Sequence, residues 1–118
     1  MEAYDYEKAV RKDIMEYLRD HYAGITIGDR LREKISDDLW VCDSVTGNAS
    51  GSYTFNTWQA EENLCHNWDL LRDAIDEFGG DYDVLEKGAE ACDVTIRCYL
   101  VGMLLDGCIE EHNEAVDE

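Results

Sequence analysis

Cys65 and His66, within "LCHN" and one turn after Glu61 and Glu62, are the residue types in this chain best suited to covalent or metal chemistry. A thiolate beside an imidazole can serve as a nucleophile or hold a metal. Neighbours on a helix point about 100° apart, however, so these two do not converge on one small site. Cys65 falls on an apolar stripe with Trp58 and Trp68 and reads as core; Glu62 and His66, at i and i+4, read as an exposed pair. His21, His66 and His112 fall on three different predicted helices. The five cysteines, at 42, 65, 92, 98 and 108, show no CxxC spacing for zinc. They read as reduced thiols that behave as small apolar side chains. "GNASGS" offers two glycines but neither the lysine nor the strand-to-helix context of a phosphate loop. We therefore expect no catalytic residue, no metal and no cofactor. A Cys/His hydrolase or metal protein is the weakest of three readings.

Charge is the stronger signal. The chain has 118 residues, 28 acids and 10 Lys or Arg, for a net charge of −18. At 45% apolar residues it can still build a core, so it reads as one folded domain and not an acidic tail. The excess is uneven. Residues 58 to 83 hold eight acids against one base, and 84 to 118 hold nine against two. Asp69, Asp73, Asp76 and Glu77 form a carboxylate row at helical spacing. Asp83, Glu86, Glu90 and Asp93 form a second. Such a field repels phosphate, so direct binding to nucleic acid or anionic membrane is not expected. Like charges this close cost stability, and a basic partner surface would offset that cost.

These rows need helices to carry them. Proline is absent. Tyr6, Val10, Ile14, Tyr17, Leu18 and His21 form one stripe over about 4–22, with Gly24 as the stop. Leu31, Ile35 and Leu39 form another over 29–40, with Asp29 as the cap. Trp58, Cys65, Trp68, Leu71, Ile75 and Phe78 predict a single helix over 57–78. A last helix over about 82–112 turns Val84, Leu85, Cys92, Ile96, Tyr99, Leu100, Met103 and Leu104 inward, and "EEHNEAVDE" reads as a fraying end. The expected fold is mainly α: a small bundle of about four helices. Its longest apolar run, "CYLVGMLL", is too short to cross a bilayer. The N-terminus has no signal-peptide pattern, so a cytoplasmic protein is expected.

From the end of the second helix into the start of the third runs "SVTGNASGSYTFNTWQA", seventeen residues without a charge. Glycine, asparagine and hydroxyl side chains suit turns. Residues 41–56 read either as an ordered polar loop or as a short hairpin pairing "WVCDSV" with "SYTF". Asn48 and Tyr53 are its candidate contact residues.

Across "DSVTGNASGSYTFNTWQAEENLCHN" and on into "EKGAEACDVTIRCYL" the chain resembles a small acidic protein family of phages and mobile elements of Gram-positive gut bacteria. The resemblance spans most of the chain and carries over no activity and no site residue. By size, charge and genomic habit, such proteins are similar to inhibitors of host defence nucleases, the anti-CRISPR proteins among them. The resemblance implies a non-enzymatic inhibitor acting as a nucleic-acid mimic in the host cytoplasm. The two carboxylate rows, with Asn48 and Tyr53, would lie against a basic groove of a CRISPR-associated nuclease or other nucleic-acid enzyme. The alternative is a small interaction or scaffold module whose polar stretch 44–57 binds a peptide or small ligand, with acidity serving solubility only.

Overall fold

The computed structural model describes residues 5–42, 44–46, 57–78 and 88–116. Among them are five helices and no strand: α1 (Tyr6–Tyr22), α2 (Asp29–Trp40), α3 (Thr57–Leu64), α4 (Trp68–Glu77) and α5 (Ala89–Val116). The mainly helical bundle expected from the periodicity is what the chain forms.

α1 begins where the Asp5 side chain accepts the Lys8 amide at 3.0 Å, with Glu7 near the positive end and Arg19 and His21 near the negative end. It buries Tyr6, Val10, Ile14 and Leu18, and it ends at Gly24, whose φ of +75° a glycine adopts without strain. His21 leaves the expected stripe. It is exposed and stacks on Tyr17, with ring centroids 4.2 Å apart. In α2 the cap position is Gly28, and Asp29 sits in the first turn instead. Ile35 and Leu39 are buried as their spacing requires.

After α2 the described residues 41, 42 and 44–46 do not form a strand. The amides of Val45 and Thr46 both donate to the Cys42 carbonyl, at 3.2 and 2.9 Å, and the Thr46 hydroxyl donates to the carbonyls of Trp40 and Cys42. Consecutive Val45 and Thr46 are both buried, whereas a half-buried strand would alternate. The described part of the expected hairpin's first arm is therefore a turn closing the end of α2, and Asp43 lies outside the described residues. Residues 47–56, with Asn48 and Tyr53, lie outside the described residues.

The single helix expected over 57–78 is two helices. Asn67 leaves helical geometry at φ −131° and ψ 27°, and its side-chain amide donates to the Asn63 carbonyl at 2.8 Å, in place of a helical amide. The break shifts the phase of α4. Leu71, Ala74 and Ile75 turn inward, while Cys65, Trp68 and Phe78 are exposed against their expected core positions.

α5 is the axis of the domain, and each of the other four helices packs on it. Cys92, Ile96, Cys98, Leu100, Val101 and Leu105 are buried on several of its faces. Complete burial of each large aliphatic here contributes about 1.5–3 kcal/mol. Met103, expected inward, is exposed. Asp93 and Arg97 are buried one turn apart in this apolar run, 0% and 1% exposed. Arg97 Nε donates to Asp93 Oδ2 at 2.8 Å, the Tyr6 hydroxyl donates to Asp93 Oδ1, and the guanidinium lies 5.4 Å from the Tyr6 ring centroid. This joins α1 to α5.

Removing the shared acceptor alone takes a carboxylate away from a buried guanidinium and a phenol, so Asp93→Ala should lower unfolding free energy by about 3–5 kcal/mol in urea titration. The double change Asp93→Leu with Arg97→Met should recover most of that loss. A single-variant loss below about 1 kcal/mol would show that the pair is not what holds the two helices together.

The carboxyl of half-buried Asp13 is pushed up by burial, against a downward pull from Arg97. Its folded form holds a proton more tightly than its unfolded form. Its contribution therefore favours the folded state below the ordinary carboxylate range and is lost as pH rises through the folded value. Lowering pH from 7 towards the ordinary carboxylate range also relieves self-repulsion, so Tm should rise as the folded Asp13 value is approached. Asp13→Asn should reduce the rise, which a thermal melt series would measure.

Candidate functional site

α4 presents its charge in one direction. At about 100° per residue, Asp69, Asp73 and Asp76 fall within an arc of about 60° centred opposite buried Leu71, Ala74 and Ile75. All three are exposed, as is Glu77 on one flank. Arg72 stands on the other flank and donates to Asp69 at 2.7 Å, across a pair open to water. Asp69 and Asp73, at i and i+4, rise about 6 Å, close to two 3.4 Å steps of a nucleic-acid strand, and Asp76 lies about 4.5 Å further.

What keeps this face negative is where the cations go. Lys12 and Arg19 pair with Glu16 and Asp20 on α1, and Lys34 pairs with Asp38 on α2. Arg11 and Arg32 cross to α5 and pair with Glu111 and Asp106. Among the described residues, no cation of α1 or α2 forms an ion pair with α4. Exposed pairs of this kind add little stability, about 0–1 kcal/mol each. Their effect is to neutralise part of α5 and, among the described residues, to leave α4 paired with Arg72 alone.

The second expected row does not form as drawn. Asp93 points into the core, where Arg97 and Tyr6 occupy its carboxylate, so it cannot meet a partner. Asp83 and Glu86 lie outside the described residues, and Glu90 is in the first turn of α5. A different row is exposed further along α5, at Asp106, Glu110 and Glu114. Its i, i+4, i+8 spacing is present in the sequence, although the composition of 110–114 predicts fraying. These residues are held instead. Asn113 clasps the backbone of Ile27, accepting its amide at 2.8 Å and donating to its carbonyl at 3.0 Å. His112 Nε2 donates to the Ile25 carbonyl at 2.9 Å, which fixes the ring's orientation.

Cys65 and His66 are both exposed in the turn between α3 and α4. Among the described residues no group of three His, Cys, Asp or Glu side chains gathers as a metal site. No helix there is long and apolar enough to cross a membrane. No family model, no curated protein and no solved structure matches the chain.

The thiols divide by environment. All five are free. Burial raises the proton affinity of Cys92 and Cys108, and it pushes Cys98 up to about 11 against a hydrogen bond from Thr46. With an aromatic disulfide reagent at pH 7.5, Cys65 should react within seconds, and the three α5 thiols only after denaturant is added. Reaction of Cys98 as fast as Cys65 in the folded protein would contradict this burial.

Proposed function

We propose that this protein is a non-enzymatic inhibitor that docks the acidic face of α4 into the basic groove of a nucleic-acid-processing enzyme. The observation that supports it best is the alignment of Asp69, Asp73 and Asp76 opposite the buried stripe of α4, with Arg72 as the only counter-charge paired on that face among the described residues. A carboxylate row at this rise presents negative charge at a spacing that Lys and Arg side chains lining a phosphate track can meet. Its field also steers encounter with a positive surface and fixes orientation on arrival. The row forms no core, and its mutual repulsion costs stability, so its gain lies outside the chain.

The resemblance to acidic phage proteins favours a defence nuclease of the host cytoplasm, of the CRISPR-associated type, as the target. Asp106, Glu110 and Glu114 replace Asp93 as the α5 carboxylates open to a partner. Two of these, Glu110 and Glu114, have no ion-pair partner among the described residues.

Capture from host lysate should be strong at ~50 mM salt and weak at ~500 mM, where the screening length falls from about 14 Å to about 4 Å. The captured enzyme should lose nucleic-acid binding in proportion to inhibitor bound. Asp69→Lys with Asp73→Lys and Asp76→Lys should abolish capture and inhibition while leaving helicity and Tm within a few degrees, because these side chains face solvent. Equal inhibition by the triple variant would overturn the proposal.

A further inference from the structure

A second feature, at the C-terminal end of α4 and turned away from the Asp69–Asp73–Asp76 arc, is aromatic. Trp40 closes α2, and Phe78 is the first residue after α4; their rings meet edge to face at 5.4 Å. Phe78 in turn sits edge-on to Tyr99 of α5 at 6.5 Å. Burial is incomplete: Trp40 stays 39% exposed and Phe78 42%. Large rings left open to water in a rigid cluster are unusual on a surface that does not bind, and Trp is the commonest anchor of protein interfaces.

The electrostatics around these rings have one sign. α2 and α4 both end here, and neither has a basic residue in its last turn to offset the negative end of the helix. Asp76 and Glu77 immediately precede Phe78, and exposed Asp37 lies one turn before Trp40. Electron-rich ring faces, helix C-termini and carboxylates all attract a cation. A planar one gains most, since it stacks on a ring while its edge donates to a carboxylate.

We infer that the Trp40–Phe78–Tyr99 cluster is the seat of a partner arginine, its guanidinium stacked on the Trp40 face and paired with Asp37 or Glu77. This rests on the reading that the partner is a basic protein. It adds that a guanidinium, more than positive charge in general, is what this end of α4 recognises. The α4 row attracts lysine and arginine alike, whereas the aromatic seat discriminates between them.

The test is a titration of the whole chain, monitored by NMR at ~50 mM salt. The probes are a short arginine–glycine peptide and a lysine–glycine peptide of equal charge. The arginine peptide should shift the Trp40 indole N–H and the Phe78 ring resonances and bind severalfold more tightly than the lysine peptide. Trp40→Leu keeps apolar bulk and should weaken the arginine peptide by about tenfold, down to the level of the lysine peptide. Glu77→Gln, at an exposed position, should weaken it by about two- to fivefold without affecting the fold.

Three results would overturn the inference: no binding of either peptide, equal affinity for both, or an arginine preference that survives Trp40→Leu. The triple α4 variant separates this from the function proposed above. If that variant loses both peptides while Trp40→Leu has no effect, the acidic face stands and the arginine seat falls. If the Trp40 shift and the arginine preference persist in the triple variant, the seat stands without the row.

Discussion

Arg97 is held almost wholly out of water inside a domain of 118 residues, and the rest of the molecule is arranged around meeting that demand. A buried guanidinium needs an anion and further acceptors, and Asp93 one turn earlier on α5 supplies the anion. Tyr6 completes the arrangement from 87 residues away, donating to the other carboxylate oxygen while its ring faces the guanidinium. Replacing such a pair with apolar residues is often neutral in stability, whereas breaking it by removing one partner is costly. The pair ties the first turn of α1 to one height on α5 and no other. With that fixed, α1 runs alongside α5 until Ile25 and Ile27 reach His112 and Asn113 at the far end.

The same arrangement sorts the protein's charge. One carboxylate, Asp93, goes inward and is lost to the surface. Two more, Asp106 and Glu111, are met by arginines from the shorter, more basic N-terminal helices. What remains concentrated is α4, which contributes only a narrow apolar stripe to the core and turns its charged positions outward. Small helices packed by one edge open most readily, so α4 is also the element best able to adjust against a partner. Fold, charge and proposed docking surface thus come from one distribution of paired and unpaired groups.

Much of this is legible in the sequence where periodicity alone decides. The stripes Tyr6–Val10–Ile14–Leu18 and Ile35–Leu39 place α1 and α2 to within two residues, and the spacing of Asp69, Asp73 and Asp76 places them on one exposed face. Periodicity fails where a single polar side chain intervenes. Asn67 breaks the third segment by satisfying a carbonyl with its side chain, and a hydrophobic pattern does not register that event. The pattern carries straight through and assigns Trp68 and Phe78 to the core. Asp93 reads as surface because carboxylates usually are, although an opposite charge four residues later within "CDVTIRCYLVG" is the signal of a buried pair. Thr46 and Asn113 escape a sequence reading for a related reason. Each matters through a bond to a backbone group, in the case of Asn113 one far along the chain, and a residue's type does not name the recipient.

On this proposal α4 meets a positive partner with its outer face, and the outer face of α1 takes no part. Amide hydrogen exchange of the protein, alone and bound to the enzyme it captures, tests this most directly. Binding should slow exchange across residues 68–78 and at Trp40, with the outer face of α1 unchanged. Protection confined to α1, or an unaltered α4 in a saturated complex, would contradict the account.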